Sequence, residues 1–417
     1  MSNNQNNPIE QKKTKSSSVF CLIGGVIVLL FLGLIYAWSI FRGPLAEMFP
    51  SWTATQVSMT FTISIVCFCL GGFTAGKISN KVPHRVVLLS SAILIIIGFS
   101  LISILLDSAS SAKSLTVLYV FYGVFCGFAV GLSYNTLLGV VLRHFPGRAG
   151  MASGVLLLGF GIGGLLLGGI VNQLIGAYDI NKTFLVLGIL LAVILVIASF
   201  LIKKPVPVAM ANGEKAPELQ GKTLMEAISK PTFWMLFFWG VAINIGGLLI
   251  INSAAPIAVR FGMLAVMGLV VSVFNGIGRP LIGMLLDKFG RKGTMMLNSF
   301  LLLIAGGVLL LGAQTGNALF IYIGLPLVGI SYGGSPTMLS AVINNFYGPK
   351  FYQVILGFAT FSLAVSAIVG PLLSSKLQEA SGGEYTTSFI MLMVAGVIAI
   401  VFSGLMSVFS RKEGLEK

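Results

Sequence analysis

The chain contains the stretch Gly283-Met284-Leu285-Leu286-Asp287-Lys288-Phe289-Gly290-Arg291-Lys292, which lies between two long apolar runs. Gly283 has no side chain and therefore allows two helices to approach closely. Asp287 can accept hydrogen bonds at the positive N-terminal end of a neighbouring helix, and Arg291 can pair with a carboxylate or a backbone carbonyl. We predict that Gly283, Asp287 and Arg291 form a conformational latch; a plain basic loop is the alternative.

The chain on both sides of this stretch is strongly apolar. Of its 417 residues, 56% are hydrophobic and 9% are charged, and the mean hydropathy is +0.98, whereas about 25% of the residues of an ordinary soluble domain are charged. Runs such as Val19 to Phe41 and Val86 to Leu106 can cross a hydrocarbon core roughly 30 Å thick as helices. They lack the alternation of an outer-membrane strand. The sequence therefore predicts an all-α membrane protein.

Short polar breaks divide the apolar runs into twelve predicted transmembrane spans. Their approximate bounds are 19–41, 54–76, 86–106, 115–142, 149–175, 183–202, 232–259, 264–286, 294–312, 318–343, 353–377 and 387–409. The basic residues before the first run resemble the start of a signal peptide. That run is too long for one and has no small-residue cleavage site, so we expect the first helix to be retained.

Lysine and arginine are distributed unevenly between the two ends of the predicted spans. Of 26 such residues, 20 fall in the two tails and in the loops on the same side as the tails. By the positive-inside rule, both termini are predicted to be cytoplasmic, in a plasma or inner membrane. The net charge of +14 therefore reflects topology, and no nucleic-acid partner is expected. The five residues predicted on the opposite side are Arg42, Lys113, Lys182, Arg260 and Lys376.

The predicted spans fall into two groups of six. The longest polar stretch lies between the sixth and seventh spans, and Gly131-Leu132-Ser133-Tyr134 in span four recurs as Gly329-Ile330-Ser331-Tyr332 in span ten. Repeats of this kind commonly pack about a shared site at the membrane midplane. We therefore predict two pseudo-symmetric six-helix bundles. The predicted units are an N-terminal tail at 1–18, bundles at 19–202 and 232–409, a linker at 203–231 and a C-terminal tail at 410–417.

One charged residue, Arg279, falls inside a predicted span, and all twelve acidic residues fall in predicted tails and loops. An arginine in the membrane costs roughly 3 kcal/mol on insertion scales unless it faces a cavity or a partner. Its planar fork suits a carboxylate, and Asn275, one turn earlier on the same face, can hydrogen-bond to Arg279 or to a ligand. We predict that Arg279 binds an anion; snorkelling towards the membrane surface is the alternative.

The stretch at 283–292 resembles, almost position for position, the cytoplasmic loop signature of the major facilitator superfamily. Within that superfamily the chain is similar to the branch of oxalate/formate antiporters and monocarboxylate transporters. The corresponding stretch of the first half, 76–85, has Asn80 and Pro83 where the family has Asp and Gly, which predicts a weaker latch there. The stretches that carry the branch resemblance are Tyr36-Ala37-Trp38-Ser39 with Pro44, Arg143 to Pro146, Arg148 to Gly154, Asn275 to Pro280 and Gly370-Pro371.

This resemblance implies a major facilitator fold in which Arg279 binds the substrate carboxylate. It also suggests that Tyr36, Trp38, Tyr134 and Tyr332 wall the substrate, although aromatic packing between helices explains each of them equally well. Counted back from Gly370-Pro371, Leu363 stands where the oxalate-type antiporters have a second cation. Asn275 stands where the animal monocarboxylate carriers have an Asp, and their lysine of span one is absent. A single cation favours a monocarboxylate over a dicarboxylate.

We therefore predict a secondary active transporter that moves small, lactate-like or pyruvate-like monocarboxylates by alternating access, coupled to protons. The alternative is a carboxylate anion exchanger of the oxalate/formate type. The expected partners are a small organic anion, protons or a counter-anion, and the lipid bilayer. Cys21, Cys67, Cys69 and Cys126 lie in apolar runs, where we expect small hydrophobic side chains and no metal site. No cofactor and no enzymatic activity are expected, and the tails are too short for a receptor domain.

Overall fold

The structure is a computed structural model that describes residues 8–203, 219–251, 253–380 and 384–416. All secondary structure in these ranges is helical, which confirms the predicted all-α membrane class. The membrane-spanning helices are α1 (Ser18–Met48), α2 (Ala54–Ile78), α3 (His84–Leu105), α4 (Ser111–His144), α5 (Ala149–Ala177), α6 (Ile180–Leu201), α7 (Pro231–Ile251), α8 and α9 (residues 270–289 and 291–315), α10 (Ala318–Tyr347), α11 (Tyr352–Gly370) and α12 (Thr386–Lys412).

Helices α8 and α9 form one nearly continuous run of helix. Eleven helical segments of the described ranges are long and apolar enough to cross a membrane, and one of them, Met267–Thr315, has 49 residues. A straight helix of that length would measure about 75 Å, well over twice the thickness of the hydrocarbon core. Gly290 breaks the run with φ 73° and ψ 175°, a conformation that favours glycine. The break divides the segment into two spans and gives the predicted twelve.

The predicted loop between these two spans is wrong in detail. Asp287 lies within the last turn of α8, and the only interruption of the helical run is at Gly290. One glycine in the left-handed region reverses the chain without a separate loop, because no further residues are needed to leave the helix. The latch residues are therefore held on helix ends.

Three helices have irregular backbone. Helix α1 tightens to a 3₁₀ turn at Gly33–Ala37, and α4 is π-helical at Leu118–Cys126. The helical hydrogen bonding of α11 is interrupted at Thr360. Irregular backbone at membrane depth is tolerated where it is buried in protein or lines a cavity. Two of the three interruptions, in α1 and α11, border the cavity described below.

Helices α1–α6 pack on one another to form an N-terminal half, and α7–α12 form a C-terminal half. The halves meet where α2 contacts α11, where α5 contacts α8 and α10, and where α4 contacts α11. Of the predicted linker, residues 204–218 lie outside the described ranges, and a short helix at Leu224–Ile228 precedes α7. The two bundle boundaries remain predictions.

Most described basic side chains lie at one end of the molecule, which we call the basic end. It comprises the first turns of α1, α3, α5, α7, α9 and α11 and the last turns of the helices that run in the opposite direction. Its described Lys and Arg residues include Lys77, Lys81, Arg85, Arg143, Arg148, Lys288, Arg291, Lys292, Lys350, Arg411 and Lys412.

Candidate functional site

Arg279 on α8 is buried, with 3% of its surface exposed, and it reaches across to the N-terminal half. Its Nη1 donates to the carbonyl of Leu157 on α5 at 2.9 Å, and its Nε and Nη2 lie 3.4 and 3.5 Å from the side-chain oxygen of Asn275. The guanidinium carbon lies 5.9 Å from the centre of the Phe160 ring. A Cβ at Gly161 would lie 2.8 Å from Nε, so this glycine provides room for the guanidinium.

The charge of Arg279 has no acidic partner among the described residues. A guanidinium has five N–H donors; Leu157 and Asn275 accept from three of them, and the Tyr36 hydroxyl lies within hydrogen-bonding reach of the group. A carboxylate can accept two parallel hydrogen bonds from a guanidinium. Arg279 therefore has the charge that an anionic ligand needs, and an anion can compete with these neutral oxygens for its donors.

Arg279 faces a small cavity between the two halves, with a volume of about 40 Å³. At roughly 10–15 Å³ for each enclosed water, this space suits a solute of only a few non-hydrogen atoms. The N-terminal half contributes only aromatic side chains, and the C-terminal half contributes most of the polar ones. The lining residues are Tyr36, Phe68, Tyr134, Phe160, Asn244, Arg279, Tyr332, Ser335, Pro336, Leu339, Leu356, Thr360, Ser362 and Leu363.

Four of the six residues predicted to bind substrate line this cavity, namely Arg279, Tyr36, Tyr134 and Tyr332. The hydroxyl of Tyr36 lies beside Arg279 and Tyr332, and the Tyr134 ring centre lies 5.0 Å from those of Phe68 and Phe160. These aromatic groups surround the guanidinium with apolar faces and polar edges.

The other two predicted residues are not among those that line the cavity. Trp38 lies inside the N-terminal half, where its indole N–H donates to the carbonyl of Val57 at 3.0 Å and its ring packs 4.5 Å from that of Tyr122. Asn275 contacts Arg279 and is not part of the cavity wall. It therefore orients the guanidinium, the first of the two roles predicted for it.

The prediction from charge alone missed the neutral polar residues Asn244, Ser335, Thr360 and Ser362 of the cavity wall. The signal that could have revealed Asn244 is an amide in the middle of the long apolar run of α7. Leu363, predicted to occupy the place of a second cation, does line the cavity.

At the basic end, Asp287 of α8 binds the first turn of α5. Its carboxylate accepts hydrogen bonds from the backbone N–H groups of Gly150 at 3.0 Å and Met151 at 2.7 Å. Arg148, the residue before this helix, provides no side-chain cap, so Asp287 serves as the cap from the other half of the molecule. Gly283 packs directly against the Gly150 carbonyl, where a Cβ would clash. These contacts join the two halves.

Arg291, the third predicted latch residue, binds within its own half. Its guanidinium donates to both oxygens of Glu416, at 2.6 and 2.5 Å, and to the hydroxyls of Ser407 and Ser410. Arg291 therefore attaches the segment after α12 to the start of α9, while Gly283 and Asp287 contact the N-terminal half.

Replacing Glu416 with glutamine is expected to destabilise the protein by about 2 kcal/mol, because it leaves the buried Arg291 without its counter-ion. Burial raises the pKa of the Glu416 carboxyl, but hydrogen bonds from Arg291 and Ser410 and the charges of Arg291 and Arg411 outweigh it and lower that pKa. The stabilisation is thus present above the pKa of an unfolded glutamate, about 4.3, and is lost as pH falls through the lower folded value.

The measurement is the thermal unfolding midpoint in detergent between pH 8 and pH 3.5, with Glu47→Gln, an exposed carboxylate on α1, as the control. The difference between wild type and Glu416→Gln should be constant at neutral pH and shrink below about pH 4. A difference that does not depend on pH would contradict the assigned role of the carboxylate.

The corresponding contact in the first half uses no carboxylate. Gly76 packs against the backbone at Gln353 on α11, and no hydrogen bond joins Asn80 to α11 in the described ranges. Instead, Asn135 of α4 donates to the Gln353 carbonyl at 2.8 Å, and the Gln353 amide donates to the Asn135 carbonyl at 3.2 Å. Two neutral hydrogen bonds replace the charge-assisted pair of the other side.

Comparison with known proteins agrees with this arrangement. The family model described as Major Facilitator Superfamily matches residues 17–371. The chain belongs to this superfamily. It is a multi-pass membrane transporter, and its architecture is the major facilitator fold predicted from the stretch at 283–292.

Relatives of the predicted branch are found within the superfamily. The chain is 28% identical over 352 residues to an uncharacterised MFS-type transporter, YhjX, of Escherichia coli, covering 82% of this chain and 85% of that protein. It is 24% identical to the oxalate:formate antiporter of Oxalobacter formigenes (92% and 90% covered) and 22% identical to monocarboxylate transporter 4 of Rattus norvegicus (73% and 69% covered). The predicted resemblance to antiporters and monocarboxylate transporters is confirmed.

Solved structures share the fold at low sequence identity. The proton:xylose symporter XylE superimposes with a TM-score of 0.75 at 12% identity, covering 95% of this chain and 96% of that one. The fucose:proton symporter FucP of E. coli superimposes with a TM-score of 0.66 at 14% identity, covering 93% and 99%.

Proposed function

We propose that the protein transports small monocarboxylates across the membrane by alternating access, coupled to protons. The observation that carries this proposal is Arg279, a buried cation that lines the cavity between the halves and has no acidic partner in the described ranges. A carboxylate would supply the missing negative charge and accept charge-assisted hydrogen bonds from the guanidinium.

We further propose that the basic end faces the cytoplasm, in a plasma or inner membrane, with both termini cytoplasmic. The contacts between α5 and α8 extend from Asp287 at the basic end to Arg279 at mid-depth. In this orientation these contacts would close the cytoplasmic side of the carrier.

Size and charge favour a monocarboxylate over a dicarboxylate. A single guanidinium lines the cavity, whose volume is about 40 Å³, and Leu363 adds a hydrocarbon side chain to its wall. A second carboxylate would have to lose its hydration without a cation to compensate. The names of the relatives, an oxalate:formate antiporter and a monocarboxylate transporter, are consistent with a small carboxylate.

The negative charge that the substrate carries across the membrane favours coupling to protons. Uptake of a bare anion moves one negative charge inward, which costs about 2.3 kcal/mol for each 100 mV of inside-negative potential. A proton that travels with the anion removes this cost. Because no described residue of the cavity wall is acidic, the proton would be held between the substrate carboxylate and the site, or would move with water.

The test is uptake of labelled carboxylates into proteoliposomes with and without an imposed pH gradient. Short monocarboxylates should enter at least about tenfold faster than oxalate or malonate, because the second charge would be unpaired. Uptake should rise when the outside is made acidic. Equal or faster uptake of dicarboxylates would contradict the substrate assignment, and uptake that ignores the pH gradient would contradict proton coupling.

Exchange of one carboxylate for another is the second candidate, and one contact favours it. Arg279 of the C-terminal half donates to Leu157 of the N-terminal half, so this bond holds the empty carrier in one state. A bound anion competes for the guanidinium and would speed reorientation, as an exchanger requires. Counterflow distinguishes the two: an exchanger stops without an anion on the far side of the membrane, and a symporter continues.

A further inference from the structure

Asn244 on α7 is a polar residue of the cavity with no assigned partner. It is buried, with 4% of its surface exposed, and it lines the same cavity as Arg279. No hydrogen bond to its side chain occurs in the described part of the chain, yet its amide atoms are not among those fully enclosed by protein. The amide is therefore open to the cavity and available to a ligand.

Two hydroxyls of other cavity residues also lack partners, but unlike the Asn244 amide they are enclosed by protein. The side-chain oxygens of Ser335 on α10 and Ser362 on α11 are enclosed and make no hydrogen bond in the described ranges, although both residues line the cavity. The nearby Thr360 differs, since its hydroxyl donates to the Gly357 carbonyl at 2.7 Å. Buried polar groups are normally paired, so the unpaired amide of Asn244 on the cavity wall indicates a site for a polar group.

Asn244 reaches the cavity from α7, whereas Arg279 reaches it from α8. A Cβ at Gly240 would lie 3.2 Å from the Ser362 hydroxyl, and Asn244 follows Gly240 by one turn on the same face of α7. Arg279, by contrast, contacts Leu157 and Phe160 on α5. The cavity wall thus includes a cation on one helix and, on another, an amide that can both donate and accept hydrogen bonds.

We propose that Asn244 binds a second polar group of the substrate and selects 2-hydroxy and 2-oxo monocarboxylates over unsubstituted acids. This proposal rests on the proposed function of Arg279. A primary amide can donate to a keto oxygen and accept from a hydroxyl, so both oxidation states fit. The cavity of about 40 Å³ keeps the two sites close together, which requires the second group to lie near the carboxylate.

The experiment compares lactate with propionate, which differ by one hydroxyl, in proteoliposomes. Wild type should take up lactate at least about tenfold faster, because propionate leaves the amide unpaired. Asn244→Leu should reduce the ratio of the two rates to about one, and Asn244→Ser should give an intermediate ratio. Asn172→Leu, an exposed position on α5, is the matched control and should keep the wild-type ratio.

The ratio is independent of the amount of folded protein, and Asn244→Ser provides the test if the leucine variant does not fold. Equal lactate and propionate uptake by wild type would overturn the proposal, as would Asn244 variants that slow both acids equally. If no monocarboxylate is carried, or if carboxylate uptake does not depend on Arg279, the proposed function itself fails and this inference with it.

Discussion

Replacing Arg279 with lysine is expected to reduce carboxylate uptake at least about 100-fold, although the positive charge is kept. Lysine lacks the planar fork, so it cannot hold the Leu157 carbonyl, the Asn275 oxygen and both carboxylate oxygens at once. Two charge-assisted hydrogen bonds of about 1.5–3 kcal/mol each are at stake. Arg279→Ala should be at least as severe, because the carboxylate would enter a buried cavity without a counter-ion.

Initial rates of uptake into proteoliposomes measure this effect, and ligand-dependent thermal stabilisation separates binding from translocation. Arg260→Lys is the matched control, since Arg260 is exposed at the end of the helix Ala254–Arg260, away from the cavity. Arg279→Lys with more than about a tenth of wild-type uptake would contradict the bidentate role.

Removing the Asp287 carboxylate should open the basic end. The side chain makes two charge-assisted hydrogen bonds to α5, so Asp287→Ala should shift the balance between states by about 10- to 100-fold. The native Cys69 reports this change, because its thiol donates to the Thr360 carbonyl between the halves at 3.1 Å. Its alkylation from the basic end should become at least about tenfold faster.

The measurement uses a background in which Cys21, Cys67 and Cys126 are serine, with a membrane-impermeant maleimide added at the basic end. Asp179→Asn, which removes the carboxylate that caps α6 at the opposite end, is the control and should leave the Cys69 rate unchanged. An unchanged rate in Asp287→Ala, with Cys69 still reactive after unfolding, would show that Asp287 does not hold the halves together.

The sequence was sufficient for the fold because membrane helices leave a simple signal. Each apolar run must satisfy its own backbone, so the length of a run between polar breaks defines a span. Arg279 could be singled out for the same reason, since a charge in such a run needs a cavity or a partner. The structure places it beside the cavity, as an anion site requires.

The direction of individual side chains could not be read in this way. Tyr36 and Trp38 are two residues apart, and such residues point to different sides of a helix. Only Tyr36 reaches the cavity; Trp38 packs inside the N-terminal half. The 3₁₀ turn at Gly33–Ala37 further changes the rotation of α1, which no periodicity in the sequence predicted.

Contacts between distant segments could not be predicted from the sequence either. The Asn135–Gln353 pair joins residues 218 positions apart, and neither residue carries a charge that would mark it. Asn244 was missed because neutral polar residues are common in membrane helices and do not by themselves indicate a binding site. Their importance depends on whether a partner lies within reach, and this is a property of packing.

Helix α8 carries both Arg279, which lines the cavity, and Asp287, which caps α5 at the basic end. Arg279 and Asp287 are eight residues apart on α8, about 12 Å, and their partners Leu157 and Gly150 are similarly spaced on α5. While both contacts are made, α5 and α8 cannot separate at either point. We therefore expect an anion that takes the place of the Leu157 carbonyl at Arg279 to leave the Asp287 cap as the remaining one of these two links between the helices.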